Sequence, residues 1–386
     1  MYFFNILKKI YDANKQTITK KYLFNHTYVS LKDYIYEKYN INISKTLLMS
    51  KQYVFDAEYF ENINKNLLNY FYESIIKKKN GRLLSCDGTV SKVNISLKKY
   101  NYSSVPTDSY CEFYISTLYD SENNVPIYFT ISKKLDERES FKDLINHVKK
   151  DDIVLFDRGY PSDKFMMYLN ENNIKYIIRA KCNHFAVIDI GKLGISEKIY
   201  TKIDPLYKGF DFRIIKYVVK SPKKNMDYFV LTNLFEIKAD NFCDLYFKRW
   251  KIEVYYDKFK NYVNGGEYDV KSETELHKAV YIKYYGILIT QIIISYIRTI
   301  FEDNKKTYIN DFSSALRITH NLIIYDMIYY TNNYRKFFAY LVKINSTVVQ
   351  SIPNRSFLHY PTKDDINNSS KETLKNNKNL LVEINQ

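Results

Sequence analysis

The sequence predicts an α/β protein in which a mixed sheet is bracketed by helices. Three observations lead to this. Between Arg82 and Arg179, short runs rich in β-branched and aromatic residues alternate with stretches of helical period. The fifteen residues from Tyr246 to Lys260, YFKRWKIEVYYDKFK, contain no Gly or Pro and are followed by Gly265-Gly266, a helix stop signal. Glu275 to Phe301 is apolar on most sides, as a helix packed on a sheet should be. With 386 residues, 46% of them hydrophobic, the chain can build one large core or two modest ones.

Residues 1–80 read as a helical domain, with candidate helices at Phe3 to Asp12, Ser30 to Tyr39 and Asp56 to Lys79. The last carries Phe60, Ile63, Leu67, Leu68 and Phe71 at helical spacing. Residues 81–182 form the first part of the core. Leu83 to Val93, Cys111 to Leu118 and Val125 to Ser132 are strands, the second and third joined by the turn Ser121 to Asn124. A helix (Glu139 to Val148), a strand (Asp152 to Phe156), a helix (Ser162 to Asn172) and a strand (Ile174 to Arg179) follow. The order β-β-β-α-β-α-β occurs in RNase H-like folds, although topology alone does not select that fold over other α/β arrangements. Residues 183–236 read as a β insertion, with strand-like pieces Phe185 to Ile190, Phe212 to Lys220 and Tyr228 to Leu234 separated by Gly and Pro turns. Residues 237–301 complete the core with the helix through Tyr246 and the helix from Glu275. Residues 302–360 are a further helical region, mainly Asn310 to Leu341, and 361–386 are polar and expected to be disordered.

On a helical wheel Arg249, Glu253 and Lys260 fall within roughly 60° of Tyr246, forming one stripe. Leu245, Ile252 and Phe259 flank it on one edge and Trp250 and Val254 on the other. Lys248, Lys251, Tyr255 and Lys258 lie opposite, which makes that side the expected solvated face. Charges on the inward stripe need a partner or a ligand. An Arg249/Glu253 ion pair on an ordinary helix accounts for the stretch equally well. Two aspartates stand out upstream. Asp87 lies within SCDGTV in the first strand, and Asp157 follows Ile153-Val154-Leu155-Phe156 at the carboxyl end of a buried strand. Each alone could be a turn or capping residue. Should their strands be neighbours, the two carboxylates converge in the crevice where α/β sheets place ligands, and Glu253 can join them. Converging carboxylates repel unless a divalent cation neutralises them, and Mg²⁺ suits hard oxygen donors.

Lys and Arg outnumber Asp and Glu by 58 to 43, a net charge of +15, beside 40 Tyr and 24 Phe. Nucleic acid is the natural partner for such a surface, although a chain rich in Lys, Asn, Ile and Tyr is also what an AT-rich genome would encode. Cys86, Cys111, Cys182 and Cys243 are scattered without metal-ligand spacing, so reduced thiols and no zinc are expected. The amino terminus lacks the order of a signal peptide. The longest apolar run, Tyr284 to Ile297, is too short to span a bilayer. A cytoplasmic protein with access to DNA, and with no membrane partner, is expected.

The spacing Tyr-x2-Arg-x3-Glu-x6-Lys at Tyr246, Arg249, Glu253 and Lys260, with Trp250 and Ile252 adjoining, resembles the Y-R-E-K signature of bacterial insertion-sequence transposases of the insertion-sequence-four type. LYD, SKKLDERE, IVLFDRGYPS and IKYIIRAK follow in the same family's order between Ser116 and Lys181, and the resemblance runs from about Arg82 to Ile300. It implies an RNase H-like core whose Asp87, Asp157 and Glu253 are catalytic and hold Mg²⁺, with Mn²⁺ as substitute. It further implies DNA contacts by Tyr246, Arg249, Trp250, Lys260 and Arg158. The partners would be double-stranded DNA with terminal inverted repeats and a target DNA, bound by a homodimer. The activity would be metal-dependent cleavage at the element ends and strand transfer by 3′-hydroxyl attack, that is, cut-and-paste transposition. A catalytically inactive DNA-binding descendant, a stand-alone RNase H-like nuclease and, remotely, a basic structural protein are the alternatives. The segment from Ser44, SKTLLMSKQYVFDAEYF, faintly resembles a helix-turn-helix-like piece of those transposases, and a plain helical cap fits it nearly as well. In that family the insertion closes over the DNA end and one of its tryptophans stacks on a flipped base in some members. The only Trp here is Trp250. Tyr207, Phe210 or Phe212 could stack instead, or could form the insertion's core.

Overall fold

The computed structural model describes residues 57–77, 81–107, 109–134, 136–181, 183–204, 207–219, 226–301, 308–319 and 334–350. The candidate helices Phe3 to Asp12 and Ser30 to Tyr39, the segment from Ser44 up to Asp56, and the tail 361–386 lie outside these residues. The helix expected at Asp56 to Lys79 is present as α1 (Ala57–Tyr70), continued by a π-helical stretch Phe71–Ile76. It buries Ile63, Leu67, Leu68 and Phe71 at the spacing the sequence shows.

The strands are β1 (Leu83–Asn94), β2 (Ser103–Ser104), β3 (Tyr110–Asp120), β4 (Val125–Ser132), β5 (Ile153–Phe156), β6 (Lys175–Arg179), β7 (Glu197–Asp204), β8 (Tyr207–Val219), β9 (Met226–Thr232) and β10 (Glu267–Tyr268). They form one mixed sheet in the order β2-β3-β1-β5-β6-β9-β8-β7, with β4 also on β3 and β10 also on β1. The first and fourth expected strands are neighbours: β1 pairs in parallel with β5, and β5 with β6. Two helices return the chain across the sheet, α2 (Glu137–Leu144) before β5 and α3 (Asp163–Glu171) before β6.

The start of the β1/β5 pair is fixed by a buried ion pair. Asp152, 1% exposed, accepts from the Arg82 backbone N–H at 2.7 Å, from Arg82 Nε and Nη2, and from the Lys149 N–H at 2.7 Å. Arg82 Nη2 also donates to the His147 carbonyl. These bonds sit one residue before each strand and set its register.

The region expected to be a β insertion is a helix followed by three strands. Phe185 to Ile190, expected as a strand, lies in α4 (Phe185–Leu193). His184 caps it by accepting from the Ala186 N–H, and Gly194 ends it at φ 66° in the left-handed region. A six-residue apolar run has no period that separates a strand from two buried helical turns, and here the caps decide. Strands β7 to β9 continue the main sheet, because β9 pairs antiparallel with β6. Phe212 is fully buried and Phe210 nearly so, which makes them core residues.

After β9 come α5 (Asn241–Phe247), a 3₁₀ turn Lys248–Trp250 and α6 (Lys251–Asn261). Tyr246 to Lys260, expected as one helix, is therefore interrupted near its start by a tighter turn. Both sides of α6 are packed. On the side expected to face solvent, Tyr255 is 2% exposed and the Lys258 Nζ lies 4.3 Å over the Phe312 ring. Burial, with Arg298 adding, pushes the Lys258 amine down to about 8. Gly265 follows because nothing larger fits: a Cβ there would stand 2.2 Å from the Phe259 ring.

The long helix α7 (Glu273–Phe301) packs on β4, with the Tyr284 hydroxyl donating to the Pro126 carbonyl and Gln291 to the Asn124 carbonyl. By length and composition α7 could cross a bilayer, but 89% of its most apolar window is buried inside the protein. α8 (Phe312–Ile318) and α9 (Tyr334–Ser346) follow. Tyr308–Asn310 and Val348–Gln350 form a separate two-stranded ladder.

Candidate active site

Strand alternation places Leu83, Ser85 and Asp87 on one face of β1 and Leu84 and Cys86 on the other. The β1/β5 pairing ends at Cys86 with Phe156. Asp87 is the next residue of β1 and Asp157 the first residue after β5, so the two acids follow the last paired rung of strands that lie about 4.8 Å apart. Beyond this rung β5 stops, and β10 joins β1 only at Lys92. Asp87 therefore borders an open notch in the sheet edge, at the carboxyl end of a parallel strand.

The face carrying Asp87 and Asp157 is covered by the segment from α5 to α6. Phe242 and Tyr246 pack with Leu83, Leu155 and Ile177. The Tyr246 hydroxyl donates to the Phe156 carbonyl at 3.2 Å, one residue before Asp157. The Tyr256 hydroxyl donates to the Asp87 carbonyl at 2.6 Å. Two tyrosines thus pin the helical segment to the two strand ends that carry the acids.

Between these anchors, Arg249 enters the site. It is 5% exposed; its Nη2 donates to Glu253 Oε1 at 2.5 Å and its Nη1 lies 3.6 Å from Asp87 Oδ2. Its guanidinium stacks 4.8 Å over the Trp250 ring, and its Nε is buried without a hydrogen-bond partner. The Asp87 carboxyl is pushed up to about 6, chiefly by burial; Arg249 opposes this, and the charges of Asp157 and Glu253 add to it. The Gly88 N–H donates to Asp87 Oδ1 at 2.9 Å, and the Gly159 N–H to Asp157 Oδ1 at 2.7 Å.

Asp87, Asp157, Arg249 and Glu253 are thus brought together, with Tyr246 beneath them and Trp250 beside Arg249. Arg158 is exposed on the turn after Asp157. Lys260 is eleven residues beyond Arg249, roughly 16 Å along the helix axis. It is half-buried, and burial lowers its pKa.

One acid at the site was not singled out from the sequence. Glu137, the first residue of α2, turns toward the aspartates. Its carboxyl is pushed up to about 7, first by burial and then by the charges of Asp157 and Asp87. Its one sequence signal is its place in LDERE, before an amphipathic helix. Asp136 caps that helix by accepting from the Glu139 N–H, and Arg138 ties it to the turn after Asp157 by donating to the Gly159 and Tyr160 carbonyls.

Among the described residues no group of three or more His, Cys, Asp or Glu side chains is arranged to hold a metal ion as it stands. The Arg249 guanidinium lies between Asp87 and Glu253, where it supplies the positive charge. The donors nevertheless suit a hard divalent cation: all are carboxylates, and burial, with the charges of Asp157 and Glu253 adding, already disfavours the ionised form of Asp87.

These features define an α/β protein with an acid-lined site at the ends of its parallel strands. The family described as Transposase DDE domain matches residues 78–284, more than half of the chain, and the chain belongs to that family. Among solved structures, a cryo-EM structure of a piggyBac transposase synaptic complex with hairpin DNA is similar, with a TM-score of 0.44 and 12% identity, covering 94% of this chain and 80% of that chain. No curated protein matches this chain.

Proposed function

We propose that this chain is a DNA transposase of an insertion sequence, of the type carrying the Y-R-E-K signature, with an RNase H-like core. The observation that carries the reading is the meeting of Asp87, Asp157 and the Arg249–Glu253 pair within the span that matches the transposase domain. Asp87, Asp157 and Glu253 would hold Mg²⁺, which would supply activation of water and then of a 3′-hydroxyl at phosphodiesters of the element ends. Mn²⁺ would substitute for it.

The chain's own residues do the rest. Tyr246 and Tyr256 hold the helical segment against the strand ends and so fix the distance from Glu253 to the aspartates. Arg249 neutralises Asp87 and Glu253 in the free protein. With a cation held by the carboxylates, its guanidinium and its unpartnered Nε would be available to a phosphate, which an arginine fork grips through two N–H groups. Trp250 stacks on that guanidinium and limits where it can go. Lys260 and Arg158 add phosphate contacts that position the duplex without reading its sequence. Residues 1–80 are assigned to DNA binding and residues 81–182 with 237–301 to catalysis. A homodimer on DNA with terminal inverted repeats would carry out cut-and-paste transfer to a target duplex, in the cytoplasm.

The test is cleavage of labelled duplexes made from the DNA flanking this gene, with and without Mg²⁺, by wild type and Glu253→Gln. Metal-dependent 3′-hydroxyl ends at one boundary, absent in the variant with DNA binding retained, are expected. Binding without cleavage by the wild type would instead indicate an inactive descendant, and nicking at no particular boundary a nuclease.

A further inference from the structure

We propose that Glu137 is a fourth metal-binding carboxylate of this site. The proposal rests on the metal-dependent reading above and extends it to a residue outside the Asp87, Asp157, Glu253 set. Its first support is where the Glu137 side chain lies. A Cβ placed on Gly88, the residue after Asp87, would stand 3.6 Å from Glu137 Oε1. A Cβ placed on Gly159, whose N–H holds Asp157, would stand 3.3 Å from Glu137 Oε2 and 3.0 Å from Asp157 Oδ1. The two carboxylate oxygens therefore reach toward the flanks of both aspartates, and Gly159 leaves room that a side chain there would crowd.

The second support is charge. No basic side chain forms an ion pair with Glu137 among the described residues, because the neighbouring Arg138 donates to the Gly159 and Tyr160 carbonyls. A half-buried carboxylate aimed at other carboxylates is costly without a counter-ion. Arg249 contacts Asp87 and Glu253, and its single positive charge does not balance four carboxylates. Two divalent cations can, and paired ions sharing carboxylates are an established arrangement for in-line phosphoryl transfer. The third support is Arg249 Nε, a buried donor without a partner. It calls for an acceptor such as a phosphate oxygen, so the site is shaped for a ligand that brings both cation and anion.

The position of Glu137 is also held from outside the acid group. Asp136 caps α2, and Arg138 ties the first turn of α2 to the loop following Asp157. The carboxylate is thereby carried on a helix start tied to the Asp157 turn.

Mn²⁺ binding to the full-length protein, measured by titration calorimetry and by the Mn²⁺-induced rise in melting temperature, tests the proposal. The variants are Glu137→Gln, Glu137→Asp and, as a control on the exposed side of the same helix, Glu139→Gln. Glu137→Gln is expected to lower Mn²⁺ affinity about tenfold or more, or to remove one of two binding events. Glu137→Asp should recover part of the loss, and Glu139→Gln should bind as wild type. The melting temperature without metal should not fall in Glu137→Gln, which separates lost ligation from lost folding. Wild-type affinity and stoichiometry in Glu137→Gln, alongside weakened binding in Asp157→Asn, would overturn the role of Glu137 and leave the metal-dependent reading standing. Absence of Mn²⁺ binding in the wild type would overturn both.

Discussion

Replacing Asp87 by Asn in the metal-free protein tests the electrostatic design of the site. Asp87 is pushed from 3.8 to about 6 by burial and by the neighbouring acids, against the opposing pull of Arg249. Each pKa unit corresponds to about 1.4 kcal/mol, so the shift is worth on the order of 3 kcal/mol. The direction follows from proton counts. Below about pH 4 the carboxyl is protonated in both states and costs nothing. Between about pH 4 and 6 the unfolded chain releases its proton while the folded protein keeps it, so stability falls as pH rises. Above about 6 both forms are ionised and the full cost is present. Urea unfolding at a series of pH values, with chelator present, should therefore show wild type losing about 2–3 kcal/mol relative to Asp87→Asn between pH 4 and 7. Glu137, pushed from 4.5 to about 7 partly by the charge of Asp87, extends the slope to slightly higher pH, and less so in Asp87→Asn, where that charge is gone, so its contribution adds to the difference between the two proteins. Adding Mg²⁺ at pH 7.5 should restore the loss in wild type and do little in the variant. Parallel stability curves for the two proteins would refute the claim that Asp87 is crowded and desolvated.

Two further outcomes follow from the same geometry. Asp152→Ala leaves Arg82 buried without its counter-ion and should cost about 3–5 kcal/mol in denaturant unfolding, with most of it regained in Arg82→Met/Asp152→Leu. Lys260→Ala should weaken binding to all duplexes alike and reduce the log-log salt slope by about 0.9, and a filter-binding series showing an unchanged slope would remove Lys260 from the phosphate contacts.

The elements whose character is written in local pattern were legible in the sequence. Leu83 to Val93 and Ile153 to Phe156 are read as strands because their β-branched and apolar runs are bounded by turn residues. The core helix after Glu275 is read from apolar residues on most of its sides. Phe185 to Ile190 was not legible: as a short apolar run it fits either element, and the cap at His184 and the left-handed Gly194 make it a helix. The partial burial of Lys258 was equally hidden, because a helical wheel reports the spacing of side chains and not what packs against them. Phe312, over which the Lys258 amine lies, is more than fifty positions further along the chain.

The candidate site divides the same way. Asp87, Asp157, Arg249 and Glu253 stand out in the sequence because each is an acid or base in a segment otherwise built for burial, and burial of charge demands a partner. The wheel put Tyr246, Arg249 and Glu253 together and could not show the 3₁₀ turn that lets Tyr246 reach the Phe156 carbonyl while Arg249 reaches Asp87. Glu137 carries no such mark, since an acid in the first turn of a helix is what the helix dipole favours anywhere. By itself the sequence determined the strands from Leu83 to Arg179, the core helix after Glu275 and the residues whose types suit metal and phosphate chemistry, because these depend on neighbours within a few positions. Only the tertiary structure decided that β1 lies beside β5, that Arg249 bridges Asp87 and Glu253, and that Glu137 joins them, because those contacts form between segments whose spacing along the chain sets no distance in space.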